Sequence, residues 1–395
     1  MKKHKIYEAE LLQPACPFCG SLDLLHNGHL ITNIHYLTAN ASLPVIIRLA
    51  KQRVKCRACE RWSMAQSELV NKYCSISNAS KLKILSALTE DRSMTSIVSE
   101  NNVSVNTVQR VLGSCSHRFL DSYEYLPAHL AFDEFKGVDR QLHFICLDGD
   151  SHQVVQILRT RYKKTLLKYF GRFSPQARAN VKTVTMDLNF YYQDIVRACF
   201  PNSQIVIDRF HMIQMLTRSF NSLRVQVMKT FDKRSRQYQL LKSPWKLYLK
   251  KFDELEKVHP RYNWHYKDCL TQAQVVTEGI NTSTALENSY NLMQSFIQAV
   301  ETGNTHELKS LINCQDQIGT LMHKTLLTFK HNLTAVLNGA ALPYSNGCLE
   351  GFNRKIKQIE RTAFGYSNFT NLLTRIRLEE DLYKEKEPNS LLMVA

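Results

Sequence analysis

The sequence predicts a multidomain α/β protein: a small cysteine-rich module, a three-helix unit, and a larger domain with a mixed sheet and a large all-α insertion. Two C-x2-C pairs lie within the first 60 residues, and strand patterns cluster between residues 126 and 207. Chain breakers are scarce, since 13 glycines and 10 prolines in 395 residues are about half the usual share, which favours long helices. We expect domains at residues 1–70, 76–120 and 126–395.

Charge and composition narrow the classes of function. The chain carries 51 Lys and Arg against 35 Asp and Glu, a net charge of +16, which favours a polyanionic partner over a merely solvated basic surface. A hydrophobic content of 44% excludes a disordered protein. The 11 cysteines follow a polar start without a signal-peptide pattern, so we expect reduced thiols and a cytoplasmic location. No apolar stretch approaches the roughly 18 residues of a membrane span, so no membrane partner is expected.

Residues 1–70 are expected to form a zinc ribbon. Two tight turns place four thiolates around one tetrahedral zinc site, namely Cys16, Cys19, Cys56 and Cys59. Gly20 suits the left-handed backbone that follows such a turn, and short strands are expected from Ile46 to Leu49 and from Gln52 to Lys55. A redox pair is the alternative, although one C-x2-C would then suffice. A second alternative is that a histidine replaces one of the cysteine ligands. The four thiolates, however, already fill the four positions of a tetrahedral site.

Residues 76–120 are typical of a helix-turn-helix unit that binds DNA. A first helix starts near Ala79, Asn101 and Asn102 form a tight turn, and Ser104 caps a third helix. The expected inward positions are Leu82, Leu85, Leu88, Ile97, Val98, Val105, Val108, Val111 and Leu112. The outer face of the third helix offers side chains that read base edges in a major groove, namely Asn106, Thr107, Gln109 and Arg110. A three-helix packing unit without a DNA role is the alternative.

The third domain begins with strands, after which helices and strands alternate. Strands are expected at 129–135, 142–147, 154–158, 181–186 and 204–207, with helices at 163–170 and 191–200. Three strands followed by alternating helix and strand is the order of a ribonuclease-H-like domain. A helical insertion is expected at about 212–345, followed by helices from Glu350 to Glu360 and from Asn368 to Lys384.

Three acidic residues stand out by their positions in this domain. Asp133 lies inside the first strand, Asp187 ends a buried strand, and Glu350 follows a chain break in the first turn of a helix. In the ribonuclease-H-like arrangement these places converge. Their hard oxygen ligands suit two Mg²⁺ (or Mn²⁺) ions roughly 3.5–4 Å apart, which support in-line phosphoryl transfer.

Each carboxylate also has a structural alternative. Glu350 alone is a favourable charge at a helix start, and Asp187 alone is a turn residue. Asp208 ends the next strand and competes with Asp187 for the second position. Glu134 points away from Asp133 and is expected to be exposed or paired with a cation.

Basic residues accompany the carboxylates. Residues 151–186 contain eight basic residues and no acidic one, and Lys163, Lys164 and Lys168 among them are expected to contact phosphates. On the helix after Glu350, three cations share one face by their three-and-four spacing, namely Arg354, Lys357 and Arg361. A phosphodiester held against metal ions is the functional interpretation of this face, and a salt-bridged surface helix is the alternative.

Four motifs then carry a family resemblance. DEF, MDLN, VIDRFH and SNGCLEGFNRKIKQIERTAFGYSNF, together with the ribbon and the helix-turn-helix, resemble the ISL-three family of bacterial insertion-sequence transposases. The resemblance implies that Asp133, Asp187 and Glu350 form the DDE triad, with Lys357 near the bound DNA end. It also implies that Asp208 and His211 form an acid-x-x-His motif that orients the site or the strand. A buried structural histidine is the alternative for His211.

The leading hypothesis is therefore a bacterial transposase that needs Mg²⁺. It binds double-stranded DNA at its terminal inverted repeats and at the target, is a homo-oligomer in the synaptic complex, and associates with the nucleoid when bound to DNA. The alternatives are a non-catalytic sequence-specific DNA-binding protein, such as a repressor or a domesticated transposase, and a nuclease acting on RNA–DNA hybrids. Trp245 and Trp264 in the insertion are expected to be core residues, with stacking on a distorted base as the alternative.

Overall fold

The computed structural model describes residues 5–37, 44–116, 123–314, 317–363 and 366–380. Over these residues the protein is mixed α/β, with eleven strands and fifteen α-helices. None of the helices in these ranges is long and apolar enough to cross a bilayer. The ends of two expected segments, 117–120 and 381–384, lie outside the described residues.

The elements are numbered in chain order. The strands are β1 (Lys5–Leu11), β2 (Leu24–Tyr36), β3 (Val45–Cys56), β4 (Trp62–Met64), β5 (His129–Lys136), β6 (Leu142–Asp148), β7 (Val154–Leu158), β8 (Thr183–Met186), β9 (Gln204–Ile207), β10 (Arg261–Asn263) and β11 (Asp268–Leu270). The helices are α1 (Asn78–Thr89), α2 (Met94–Asn101), α3 (Val105–Ser114), α4 (Lys163–Phe170), α5 (Pro175–Ala179), α6 (Phe190–Cys199), α7 (Arg209–Met228), α8 (Arg236–Lys242), α9 (Gln272–Ile280), α10 (Thr284–Thr302), α11 (Thr305–Ile312), α12 (Thr320–His331), α13 (Leu333–Ala341), α14 (Gly347–Thr362) and α15 (Phe369–Glu379).

The chain divides into two compact units. The amino-terminal unit comprises Met1–Ser122, Lys136–Gln141 and Asn353–Ala395, and the sheet unit comprises Tyr123–Phe135 and Leu142–Phe352. In this grouping the expected domains 1–70 and 76–120 fall in one unit, and Lys136–Gln141 and the chain after Phe352 are grouped with them.

The sheet of the amino-terminal unit is built on β3. This strand pairs in parallel with β1 and antiparallel with β2 and β4. The two short strands expected at 46–49 and 52–55 are wrong in detail, because they are one continuous strand. Ala50 and Lys51 between them stay in the ladder, opposite Ile31 and Leu30 of β2.

The helices of this unit follow the expected three-helix pattern closely. Each begins at a serine whose side chain accepts a backbone N–H of the first turn, and Asn102 ends α2 with a φ of 51°. The predicted placements of two α3 side chains, Val105 inward and Thr107 outward, are wrong. Val105 is 42% exposed and Thr107 is 6% exposed, because Thr107 lies in the capped first turn with its hydroxyl 3.0 Å from that of Ser104.

The sheet unit has the strand order β7-β6-β5-β8-β9, with β5, β8 and β9 parallel and β6 antiparallel to β7. The strands β7 and β9 and the helix α4 have the bounds expected from the sequence. One face of the sheet is packed with aromatic rings. Phe132 and Phe144 meet at 5.0 Å between ring centroids, and Phe170 stacks on Phe132 at 5.5 Å.

The insertion after β9 is mostly, but not wholly, helical. The expected all-α insertion is wrong in that the antiparallel hairpin of β10 and β11 interrupts it. Strands of three residues are too short to show an alternating pattern. The expected core role of the tryptophans is also wrong, because Trp264 between the two strands is 77% exposed and Trp245 is 40% exposed.

Candidate functional site

The four predicted zinc ligands lie together in the amino-terminal unit. The Sγ atoms of Cys16 and Cys59 are 3.6 Å apart, as are those of Cys19 and Cys56, and all four lie within 4.8 Å of one another. Zinc bonded to four sulfurs at about 2.3 Å in a tetrahedron separates them by about 3.8 Å. The four thiols therefore fit a zinc ion and a zinc ribbon.

The backbone around the thiols supports this geometry. Gly20, after the first pair, has a φ of 75°, and Glu60, after the second pair, has a φ of 55°, so both turns end in a left-handed residue. The backbone N–H groups of Cys59 and Ala58 and the neighbouring thiols together lower the pKa of Cys56 to about 6, while neighbouring thiols raise the pKa of Cys19. A thiol with so low a pKa is readily converted to the thiolate that binds a metal.

The strand register brings Asp133 and Asp187 to one edge of the sheet unit. His129, Leu130 and Ala131 of β5 pair in parallel with Thr183, Val184 and Thr185 of β8. Continuing this register by two residues sets Asp133 beside Asp187, directly after the last residue of β8. The two carboxylates therefore occupy neighbouring positions at the carboxyl end of parallel strands.

The start of α14 is anchored at the same edge through Asn346. Its side-chain amide donates to the carbonyl of Phe132 at 3.2 Å, and its backbone N–H donates to Asp208 Oδ1 at 2.9 Å. Phe132 immediately precedes Asp133 in the strand, so these bonds tie the start of α14, whose first turn carries the exposed Glu350, to the residue before Asp133 and to Asp208.

Asp208 differs from Asp187 in its surroundings. Asp208 is 5% exposed, and its second oxygen accepts the backbone N–H of His211 at 3.0 Å as the N-cap of α7. Both carboxylate oxygens thus already accept backbone N–H groups. The Asp187 side chain is 47% exposed, and its Oδ2 lies 3.4 Å from Nδ1 of His211.

Negative charge accumulates around Asp187. Burial raises the pKa of Asp187, and the carboxylates of Asp208 and Glu134 raise it further, while His211 lowers it. Burial also raises the pKa of Cys348 on the first turn of α14, with Asp208 and Asp133 adding to the shift. Oxygen donors that repel one another in this way suit a divalent cation. In the described part of the chain, only the four cysteines form a group of three or more metal-binding side chains within 4.8 Å, so Asp133, Asp187 and Glu350 do not all lie within that distance of one another.

Comparison with known proteins shows the family to which the chain belongs. A family of DDE proteins of the ISL-three type, described as transposase, matches residues 130–376, more than half of the chain. The chain belongs to the ISL-three family of transposases. A Bordetella parapertussis protein, the transposase for insertion sequence element IS1001, is 23% identical over 256 residues, which are 63% of this chain and 60% of that protein. A Lactococcus lactis subsp. lactis protein named ATP-dependent protease is 31% identical over 109 residues, 28% of this chain and 35% of that protein. This chain thus spans less than two thirds of either relative.

Glu134 of this transposase has a larger structural role than the sequence indicated. The guanidinium of Arg161 donates to both of its oxygens at 2.7 and 2.8 Å, and the hydroxyl of Tyr192 donates to it at 2.8 Å. The neighbouring Tyr191 donates to the carbonyl of Arg161 at 2.8 Å. These bonds join β5, the segment before α4 and the helix that follows Asp187. Strand alternation predicts only that Glu134 faces away from Asp133, and no local pattern names its partners.

The predicted DNA-contacting residues of the transposase lie on two helices of the amino-terminal unit and one of the sheet unit. Most are exposed, namely Asn106, Arg110, Lys163, Lys164, Lys168, Arg354, Lys357 and Arg361, and Gln109 is half-buried. Lys163 is paired with Asp194 at 3.0 Å, so Lys164 and Lys168 are the stronger candidates on α4 for contact with phosphates.

Proposed function

We propose that this transposase binds the terminal inverted repeats of its element and cleaves and joins DNA strands with Mg²⁺ held by Asp133, Asp187 and Glu350. The observation that carries the proposal is the shared edge of the sheet unit. The β5–β8 register sets Asp133 beside Asp187, and the bonds of Asn346 tie the start of the helix that carries Glu350 to Phe132 and Asp208. We further propose that this sheet has the ribonuclease-H-like arrangement, in which such an edge is the site of phosphoryl transfer.

The surroundings of the two aspartates favour Asp187 over Asp208 as the second ligand. A metal ligand needs free lone pairs that face solvent or substrate, and Asp187 has them. Asp208 uses both oxygens to hold the starts of α7 and α14, so its role is to position Glu350 and His211. His211 in turn lies against Asp187 and orients its carboxylate.

Different residues of the chain have different roles in the proposed reaction. Two Mg²⁺ ions, when bound, supply activation of the attacking water or 3′-hydroxyl and stabilisation of the leaving oxygen. Asp133, Asp187 and Glu350 hold those ions through carboxylate oxygens, and the Glu134–Arg161 pair fixes the strand next to Asp133. Lys164 and Lys168, and the α14 cations Arg354, Lys357 and Arg361, are proposed to hold DNA phosphates.

Recognition of the repeats is proposed to lie in the amino-terminal unit. Its zinc ribbon positions the module, and α3 presents Asn106, Gln109 and Arg110 to a major groove. The functional assembly is proposed to be a homo-oligomer that pairs two element ends and acts on the nucleoid in the cytoplasm. A non-catalytic DNA-binding protein is the second candidate, since within the described residues the three carboxylates do not all lie within 4.8 Å of one another.

The test compares binding and cleavage in one protein. Purified protein is given a labelled terminal repeat with Mg²⁺, and nicking at the repeat end is followed on a denaturing gel. Glu350→Gln keeps the shape of the side chain but removes one charge facing Mg²⁺, so it is expected to abolish nicking and leave repeat binding unchanged. Nicking at the wild-type rate by Glu350→Gln would refute the triad, and a wild-type protein that binds the repeat without nicking it would favour the non-catalytic candidate.

A further inference from the structure

An open cleft lies in the helical insertion, between α7 and α8. Its volume is about 290 Å³, and its lining residues are Asn221, Arg224, Met228, Lys242 and Trp245. Two of these five residues are cationic, one is aromatic and none is acidic. The cleft therefore combines positive charge with an aromatic surface.

Arg224 is the buried charge of this cleft. It is 5% exposed, its Nε donates to the side-chain oxygen of Asn221 at 2.9 Å, and its Nη1 donates to the carbonyl of Leu241. These two bonds use two of its five N–H donors. Burial lowers the pKa of Arg224, but an arginine remains charged in proteins. Among the described residues no carboxylate forms an ion pair with Arg224. A buried charge without a counter-ion is costly, so an anion that enters the cleft gains more here than at the open surface.

Trp245 supplies the aromatic surface. It follows α8 directly and is 40% exposed, and Nζ of Lys246 lies 5.8 Å from the centroid of its ring. A planar, electron-poor group stacks well on such a ring. The volume of about 290 Å³ is near the lower limit of small-ligand pockets, so the cleft is sized for one small ligand and not for a duplex.

We propose that this cleft binds one unpaired nucleotide of a DNA strand, with its phosphate on Arg224 and Lys242 and its base stacked on Trp245. The inference rests on the proposed function, since it takes DNA as the substrate. It adds a site for a nucleotide that has left the double helix, in a part of the chain to which neither the carboxylates nor the helix-turn-helix belongs.

The first experiment measures the affinity of the full-length protein for two labelled repeat duplexes. One is fully paired, and the other carries a single unpaired adenine in one strand. The wild-type protein is expected to bind the bulged duplex more tightly. Trp245→Ala is expected to reduce that preference by about 5- to 140-fold, the range that base stacking on an aromatic side chain provides. Trp245→Phe is expected to retain part of it.

Trp264→Ala is the matched control, because Trp264 is also an exposed tryptophan of the insertion but does not line the cleft. It is expected to keep the preference for the bulged duplex. Equal binding of the two duplexes by wild-type protein, or a preference unchanged in Trp245→Ala, would overturn the inference. Failure of the wild-type protein to bind the fully paired repeat would instead count against the proposed function.

A second experiment separates a DNA nucleotide from a free one. The chain has three tryptophans, so a variant with Trp62→Phe and Trp264→Phe reports on Trp245 alone. The bulged duplex is expected to quench its fluorescence, and Lys242→Gln in the same background is expected to weaken that quenching. Quenching by free dAMP at concentrations as low as those of the bulged duplex would identify a free nucleotide as the ligand and overturn the proposal.

Discussion

Arg375 on α15 offers a sharp test of the amino-terminal unit. The side chains of Arg375 and Glu379 are 1% and 4% exposed and form an ion pair. The Nη2 atom of Arg375 also donates to the carbonyls of Glu90 and Arg92 at 2.8 and 2.9 Å. The last described helix thus holds the connection between α1 and α2, although it is far from them in sequence. Arg375→Ala removes three contacts at once and leaves a buried carboxylate unpaired.

The expected cost follows from this geometry. Removing one partner of a buried ion pair costs about 3–5 kcal/mol. The two hydrogen bonds to carbonyls are made by the same guanidinium, so their loss is counted as part of this cost and not added to it. We expect the free energy of opening of α1–α3, measured by native-state hydrogen exchange, to fall by about 3–5 kcal/mol at pH 8. Binding of the terminal repeat is expected to weaken in parallel.

The loss should also depend on pH. Burial raises the pKa of Glu379, while Arg375 lowers it, so Arg375→Ala raises this pKa further. A carboxyl whose folded pKa lies above its unfolded value adds stability below the unfolded pKa and loses it as pH rises through the folded pKa. The variant should therefore be less destabilised at pH 5 than at pH 8.

A double variant serves as the control for this experiment. Arg375→Met with Glu379→Leu removes both charges together and is expected to recover most of the lost stability. A single variant within about 0.5 kcal/mol of wild type, or one equally destabilised at both pH values, would refute the reasoning.

Three further predictions address the metal, recognition and the strand next to Asp133. Cys56→Ser is expected to abolish zinc binding in elemental analysis and to weaken repeat binding, and native protein without zinc would contradict the ribbon. Arg110→Ala is expected to relax specificity at one base pair by about 1–3 kcal/mol, whereas Lys164→Ala should weaken all sequences and flatten the salt dependence of binding. Arg161→Ala, which leaves Glu134 without its cation, is expected to slow nicking by about 10- to 100-fold. Arg161→Lys is expected to recover part of the rate. Nicking by Arg161→Ala at the wild-type rate would contradict the role of the Glu134–Arg161 pair.

Local patterns predicted much of the fold. Alternating hydrophobic residues between clear turns gave β7, β9 and α4 with the bounds that the structure has, and spacing alone gathered the four cysteines. The prediction that Thr107 lies on the outer face of α3 was wrong, because its side chain is turned inward by the capping hydroxyl of Ser104. The hairpin of β10 and β11 was not predicted, because its strands are too short to give a periodic pattern in the sequence.

The candidate site was less accessible to sequence reasoning. Asp187 and Asp208 both end strands, so position alone does not rank them. The signal that separates them was present, because Asp208 directly precedes a long helix and an aspartate there is a common N-cap. The anchoring of α14 by Asn346 and the Glu134–Arg161 pair join residues far apart in the chain, which no local pattern reveals. The assignment of the triad stays a prediction.

The exchange of a metal ligand for sulfur tests that assignment most directly. A thiolate binds Mn²⁺ much better than Mg²⁺, so Asp187→Cys is expected to lose nicking of the terminal repeat in Mg²⁺ and to regain it in Mn²⁺. Asp208→Cys, which loses the two carboxylate oxygens that accept the backbone N–H groups of His211 and Asn346, is expected to be equally impaired in both metals. If Mn²⁺ restores nicking by Asp208→Cys but not by Asp187→Cys, the account is contradicted, and Asp208 is the second metal ligand instead.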